Sequence, residues 1–161
     1  MIRKVKQEDA AAIAAIYNDH VKHTCVTFED EEVSVAEMQK RISEISSHYP
    51  YLVYEAEDGE IAGYCYAHGW KEKQAYRLTA ETTIYIAPAF QRQGIGKALM
   101  NELIVKCREA GLHVLIACDT YPNPGSEKLH VELGFQQVSR FHEVGYKFGQ
   151  WLDIYDFELR L

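Results

Sequence analysis

Between a β-rich run, Thr79 to Ala87 closed by Pro88, and an amphipathic helical run, Ile95 to Ala110, the chain reads Gln91-Arg92-Gln93-Gly94-Ile95-Gly96-Lys97. A strand handed to a helix through a glycine-bearing turn brings several unbonded backbone N–H groups to the positive end of the helix dipole. Such a turn is a seat for a pyrophosphate. The spacing is too short for G-x-x-x-x-G-K-[ST], and no third glycine completes G-x-G-x-x-G. What stands is Q-x-x-G-x-G opening a helix. The fold must therefore bring the end of one strand and the start of one helix to a common point.

The rest of the chain has to supply a core around that point. Its 161 residues, 47% hydrophobic and 25% charged, read as one globular domain spanning 1–161. A net charge of −7 argues against nucleic acid or an anionic membrane as partner, since both require a basic face. An anionic ligand at the turn must then rely locally on Arg92 and Lys97. No apolar run reaches membrane-spanning length, and Met1-Ile2-Arg3-Lys4 leads into no signal-like stretch. Cys25, Cys65, Cys107 and Cys118 are scattered without a C-x-x-C pair; the last three lie among apolar neighbours and read as small buried hydrophobes. A reducing, cytoplasmic setting is expected, with no metal site.

Met1 to Lys6 reads as a first strand. Ile13, Ile16, Tyr17, His20 and Val21 follow at helical spacing, with Glu8 and Asp9 in the first turn. Ser34-Val35-Ala36-Glu37 is a capping box opening a second helix through Met38, Ile42 and Ile45, and a loop bearing Phe28 lies between the two. Tyr51 to Ala56 and Glu60 to Ala67 form a hairpin across Asp58-Gly59. Gly111 ends the helix after the turn, and His113 to Cys118 is a continuous apolar strand. Asn123-Pro124 caps a short helix closed by Gly134, and strands Gln136 to Glu143 and Trp151 to Leu161 finish the chain. Mixed strands and helices in this order predict an α/β domain: one mostly antiparallel twisted sheet with helices on both faces.

Several residues are placed to carry chemistry. By the period of two, Glu81 shares a face with Thr79, Thr83 and Tyr85 and is the only acid of its strand. Pattern alone leaves it either a base that takes a proton from an ammonium or a solvated strand glutamate. Backbone at Ile84, Tyr85 and Ile86 offers an edge to an extended ligand arm. His130, beside the apolar Leu129, Leu133 and Phe135, is either a core histidine or a proton donor, its reference pKa being ~6.5. Arg77, next to Tyr76, is suited to grip a carboxylate, and a surface ion pair is the plain alternative. Lys147 and Trp151 lie in a turn-rich aromatic segment, Gly145 to Trp151, that lines a pocket or an interface or is simply a hairpin.

The Gln91 to Lys97 turn resembles the acyl-coenzyme A loop of the GNAT N-acetyltransferases. Together with Trp70-Lys71, Ala75 to Ile86, Pro122-Asn123, Leu129 to Phe135 and Val144 to Asp153, it resembles the phosphinothricin and methionine sulfoximine/sulfone N-acetyltransferases of that superfamily, nearly end to end. The resemblance implies the GNAT acyltransferase fold, acetyl-CoA as cosubstrate and a homodimer. It implies Glu81 as general base and His130 as general acid, at a place where many GNAT members keep tyrosine. It implies cofactor contacts from Ile84, Tyr85 and Ile86, from Arg92, Gln93, Gly94, Ile95, Gly96 and Lys97, and from Asn123, with Phe28, Tyr76, Arg77 and Lys147 around the acceptor. Gln91 departs from the arginine common there, and its amide brings no charge, which leaves Arg92 and Lys97 to supply it.

The expected activity is acetyl transfer from acetyl-CoA to the amine of a small amino acid or analogue of phosphinothricin, methionine sulfoximine or methionine sulfone type. A GNAT acting on a polyamine, arylamine or protein N-terminus is the alternative among enzymes. A non-catalytic acyl-CoA-binding module is the alternative outside them.

Overall fold

Alternating apolar residues build one seven-stranded sheet in the computed structural model, which describes residues 1–161. The strands are β1 (Ile2–Lys4), β2 (Tyr51–Glu55), β3 (Ile61–Gly69), β4 (Thr79–Ile86), β5 (Val114–Tyr121), β6 (Gln136–Lys147) and β7 (Gln150–Arg160). Their order is β1-β2-β3-β4-β5-β7-β6, and every neighbouring pair is antiparallel except β4–β5. The expected mostly antiparallel sheet is what forms.

Helices cover both faces. On one side α1 (Ala10–His23) and α2 (Val35–Ser46) bury Ile13, Ile16, Met38 and Ile42 against Tyr51, Val53 and Tyr64. On the other, α3 (Ile95–Glu109) lays Leu99, Met100, Leu103 and Cys107 over Ala62, Cys65, Ala80 and Leu115. The spacings 95, 99, 103 and 100, 104, 107 keep one apolar stripe toward the sheet. The short α4 (Pro124–Glu132) packs Leu129 on the same side.

Local signals hold where they are local. Gly111 and Gly134 stand just past their helices at φ +78° and +90°, and Asn123 caps α4 with Pro124 at the first helical position. Ser34 Oγ accepts from Glu37 N at 3.1 Å, but the reciprocal half of the capping box is absent: Glu37 turns instead to Arg41, 3.2 Å away. Glu8 and Asp9 sit not in the first turn of α1 but in a 3₁₀ turn before it. There Asp9 accepts from Lys6 N and takes both guanidinium arms of Arg3. β5 runs three residues beyond Cys118, and the aromatic segment after Val144 is a hairpin, β6 continuing to Lys147 and β7 starting at Gln150. Cys65 and Cys107 are buried as expected, whereas Cys118 is exposed.

One close approach in the sheet bears on the site. A Cβ at Gly63 would fall 2.5 Å from Ile86 Cδ1 and 2.9 Å from the carbonyl oxygen of Tyr85, so only glycine lets β3 lie this near the end of β4. Gly63→Ala is expected to cost about 1–3 kcal/mol of stability, the range of core overpacking. Urea unfolding checks this, and an unchanged midpoint would mean that the two strands part without penalty.

Candidate active site

β4 and β5 pair only from Thr79–Val114 to Thr82–Ala117; beyond that point both strands continue, to Ile86 and Tyr121, without pairing. β4 remains bound to β3 as far as Ile86–Gly63, and β5 to β7 as far as Tyr121–Asp153. The sheet therefore splits between its fourth and fifth strands. Ala87 N donates to Ala62 O, so by the alternation of an antiparallel ladder Ile84 and Ile86 aim their N–H and C=O groups away from β3, into the split.

The Gln91–Lys97 turn sits at the mouth of this split. Gly94, at φ +82°, precedes α3 with no side-chain cap, and Ala98 N→Gly94 O is the first bond of the helix. The N–H groups of Ile95, Gly96 and Lys97 are thus left for a ligand. Arg92 holds φ +60°, a left-handed conformation uncommon outside glycine, and together with Gly94 turns successive amides toward one side. Gly96 stands between Ile84, Ile86 and Leu129, whose side chains would lie 3.7–3.8 Å from a Cβ there. A methyl fits without clash but fills that space.

Charge is distributed otherwise than expected. Lys97 Nζ is 3.0 Å from Glu132 Oε2, so its charge is engaged by α4, whereas Arg92 enters no ion pair. Gln91 makes no bid for a ligand: its Nε2 donates to the carbonyl of Ile86 at 3.4 Å. Asn123 Oδ1 accepts from Ser126 N, and its backbone exchanges hydrogen bonds with the Tyr155 hydroxyl, which leaves Nδ2 without a partner in the chain.

Glu81 projects on the α1/α2 side of the sheet, opposite His68 in β3, whose Nε2 lies 3.9 Å from Oε1. Its side chain is about one-third exposed. Burial raises its pKa above the ordinary carboxylate range, His68 opposes that shift, and the carboxylate of Asp156 adds to it. Cys118 points to the same face. Its thiol is pushed well up by partial burial and then by Asp156 and Glu81, which leaves it protonated and a poor nucleophile.

His130 lies across the sheet, on the α3/α4 side. It is 2% exposed, stacked on Phe157 and edge-on to Phe135. Its Nδ1 is 3.1 Å from Asp119 Oδ2, and Ser126 Oγ donates to the other oxygen of that carboxylate. Because an ionised carboxylate only accepts, Nδ1 carries the hydrogen and Nε2 is the nitrogen left to exchange a proton. Asp119 and Ser126 escape a reading of the chain because the apolar run of β5 stops at Cys118 while the strand continues to Tyr121. Period-two counting from Leu115 and Ala117 puts Asp119 on the His130 side, and Ser126 is one helical turn before His130.

The loop between α1 and α2 is tied down on the Glu81 side. Thr120 Oγ1 donates to Cys25 O, Lys147 Nζ donates to Thr27 O at 2.8 Å, and the Tyr17 hydroxyl lies 2.8 Å from Thr27 Oγ1. Asn18 bonds both backbone groups of Val33 through its side chain. Phe28 rests on β6, where a Cβ at Gly145 would come within 2.3 Å of its ring. Lys147, expected beside the acceptor, is 2% exposed and directs its ammonium at this loop; the structure makes it the anchor of the Phe28 segment. Tyr76 stands edge-on to Trp70 at 5.3 Å, and Arg77 is exposed with no acidic partner, its Nη1 reaching only Gln74 O. The surface ion pair that was its plain alternative does not form. No group of three or more His, Cys, Asp or Glu side chains is gathered into a metal-binding set.

Known proteins place this arrangement. The family model described as acetyltransferase (GNAT) domain matches residues 2–155. A phosphinothricin N-acetyltransferase of Alcaligenes faecalis is 38% identical over 154 residues, covering 94% of this chain and 78% of the relative. An L-methionine sulfoximine/L-methionine sulfone acetyltransferase of Salmonella typhimurium is 36% identical over 164 residues, covering 99% and 94%. The crystal structure of a phosphinothricin acetyltransferase from Sinorhizobium meliloti in complex with acetyl-CoA superposes with a TM-score of 0.97 at 36% identity, over all of this chain and 88% of the other. The split sheet, the capless turn after β4 and these matches lead to one conclusion: the chain belongs to the GNAT acetyltransferase family.

Proposed function

We propose that the protein transfers an acetyl group from acetyl-CoA to the α-amine of a small amino acid or analogue, of the kind named for its phosphinothricin and methionine sulfoximine/sulfone relatives. One observation carries this reading: Glu81 and His130 lie on opposite faces of the sheet, flanking the point where β4 and β5 part. A thioester laid in the split presents its carbonyl carbon toward the face of Glu81 and its sulfur toward the face of His130.

The steps follow from the groups present. Amides of Ile95, Gly96 and Lys97 receive the pyrophosphate, with Arg92 supplying positive charge and Gln93 within the same turn. The extended arm pairs with the free edge of Ile84 to Ile86, with Tyr85 behind it and Asn123 Nδ2 across from it. The acceptor's carboxylate meets Arg77 beside Tyr76 and Phe28, and Glu81 takes a proton from its ammonium. The neutral amine attacks the thioester carbon, the C–S bond breaks, and His130, in its cationic form with Nδ1–H on Asp119 and a second hydrogen on Nε2, gives the Nε2 proton to the departing thiolate and is left neutral. Transfer is direct from thioester to amine: Cys118, the cysteine beside Glu81 on the strand face, is held as a thiol by partial burial and the neighbouring carboxylates.

The exposed apolar residues Val138, Phe141, Val144, Tyr146, Phe148 and Trp151 all lie on the β6–β7 hairpin, and β6 is an edge strand. An apolar patch gathered on one sheet edge is a surface for self-association, which supports a homodimer.

Below its raised pKa Glu81 carries a proton and cannot accept one, so kcat/KM should climb with pH through a limb above the usual carboxylate range. Glu81→Gln should lower kcat by about 10²-fold or more and abolish that limb, leaving acetyl-CoA binding in calorimetry unchanged. Full turnover by this variant would end its role as base. Arg77→Ala should raise KM roughly tenfold or more for carboxylate-bearing amines and leave simple amines unaffected; equal loss on both would contradict the assignment. Trp151→Glu should convert a dimer to a monomer in analytical ultracentrifugation, and a wild-type monomer would refute the interface.

A further inference from the structure

One buried group is used by nothing above. His20, on α1, is 8% exposed, tilted against Tyr85 at 5.1 Å, and its Nδ1 is the only buried side-chain nitrogen or oxygen without a hydrogen-bond partner. Its Nε2 lies 3.3 Å from the carbonyl oxygen of Ile86. A carbonyl only accepts, so Nε2 carries the hydrogen and Nδ1 is left as a buried lone pair. Burial lowers the pKa of His20 and keeps the ring neutral. The same carbonyl accepts from Gln91 Nε2 at 3.4 Å, a donor arriving from the turn rather than from the helix. A carbonyl oxygen has two lone pairs, and here two side chains from different elements reach one oxygen.

That oxygen belongs to the strand edge facing the split. In an extended strand the N–H and C=O of one residue point to the same side, so Ile86 without these partners would offer an incoming arm a donor and an acceptor together. With the acceptor occupied, only its N–H remains.

We propose that His20 and Gln91 are positioning residues for the acyl-CoA arm: by jointly engaging the Ile86 carbonyl they leave the end of β4 with a donor alone, which fixes the register in which the arm pairs. An arm displaced along the strand would bring its amide N–H against an oxygen already engaged, and lose that bond. The effect of Gln91 then requires no charge: its length and its donor suffice to tie the pyrophosphate turn to the strand. This deepens the acetyl-CoA reading above and rests on the arm lying along β4.

The test compares steady-state kinetics of the full-length enzyme, with acetyl-CoA and a turned-over amine varied separately, for His20→Phe, Gln91→Met and Gly96→Ala. His20→Phe keeps a ring against Tyr85 and removes the donor. Gln91→Met keeps the chain length at an exposed position and removes the donor without touching the core. Each should raise KM for acetyl-CoA about threefold to tenfold, the value of one hydrogen bond, with KM for the amine within twofold of wild type. His20→Gln, which returns an N–H donor at similar reach, should recover most of the loss; a merely structural histidine would not be rescued this way. Gly96→Ala separates the two readings. If it raises KM for acetyl-CoA while Gln91→Met leaves it within twofold, the positioning role is overturned and the cradle stands. If all three leave it unchanged, the carrier does not lie along β4 and both readings fall. Should His20→Phe not fold, Gln91→Met decides alone.

Discussion

Two parallel strands that stay together for four residues and then part define this molecule. β4 is held along its other edge by β3 and β5 by β7, and each follows its own antiparallel neighbour to the end. Sheet twist accumulates between strands, and a pair with no further cross-bonds has nothing to resist it. The consequence is an unpaired stretch of backbone at Ile84 and Ile86 inside a sheet rather than at its edge. Backbone polar groups away from water need partners, so such a stretch is stable only if solvent, side chains or a ligand provide them. His20 and Gln91 provide for one oxygen. The rest is open to something extended and amide-bearing, and that need shapes the surroundings: the turn with free N–H groups follows β4 directly, and α4 closes the far side with Asn123.

What could be read from the chain divides by how local the cause is. The turn, its helix, the stop at Pro88, the cap at Asn123-Pro124 and the exit at Gly111 each depend on a few consecutive residues, and they form where expected. The face of Glu81 was legible because β4 pairs with β3 and β5 without a bulge, so counting by twos survives. The pairs that build the candidate site are different. Asp119 and His130 meet across a strand and a helix, Lys97 finds Glu132 thirty-five positions away, and Lys147 finds Thr27 at a distance of 120. No spacing rule reports such meetings. Lys147, expected by resemblance beside the acceptor, is turned to Thr27 O once the hairpin closes and the loop from α1 is laid over it, a meeting that no local pattern reports.

Electrostatics separates the two ends of the split. An acidic chain holding an anionic carrier needs local compensation, and with Lys97 engaged by Glu132 that compensation narrows to Arg92 and oriented backbone dipoles. Backbone N–H groups suit this task because their direction is set by the helix and they pay no reorganisation when the ligand arrives. At the other end, Glu81 and Asp156 on one face make a negative surface that attracts an ammonium and at the same time disfavours a thiolate at Cys118.

The same field therefore selects the chemistry. On the proposed reading a cationic acceptor is drawn to the face on which Glu81 removes its proton, and the Cys118 thiol beside it is kept out of the reaction by the charges that draw the acceptor in. A covalent relay through Cys118 would require a thiolate beside two carboxylates, in a partly desolvated site where such repulsion is stronger than in water. Direct attack asks only that one ammonium lose a proton to a carboxylate whose own affinity for it has been raised. Of a route that the local field opposes and one that it assists, the proposed direct transfer takes the second.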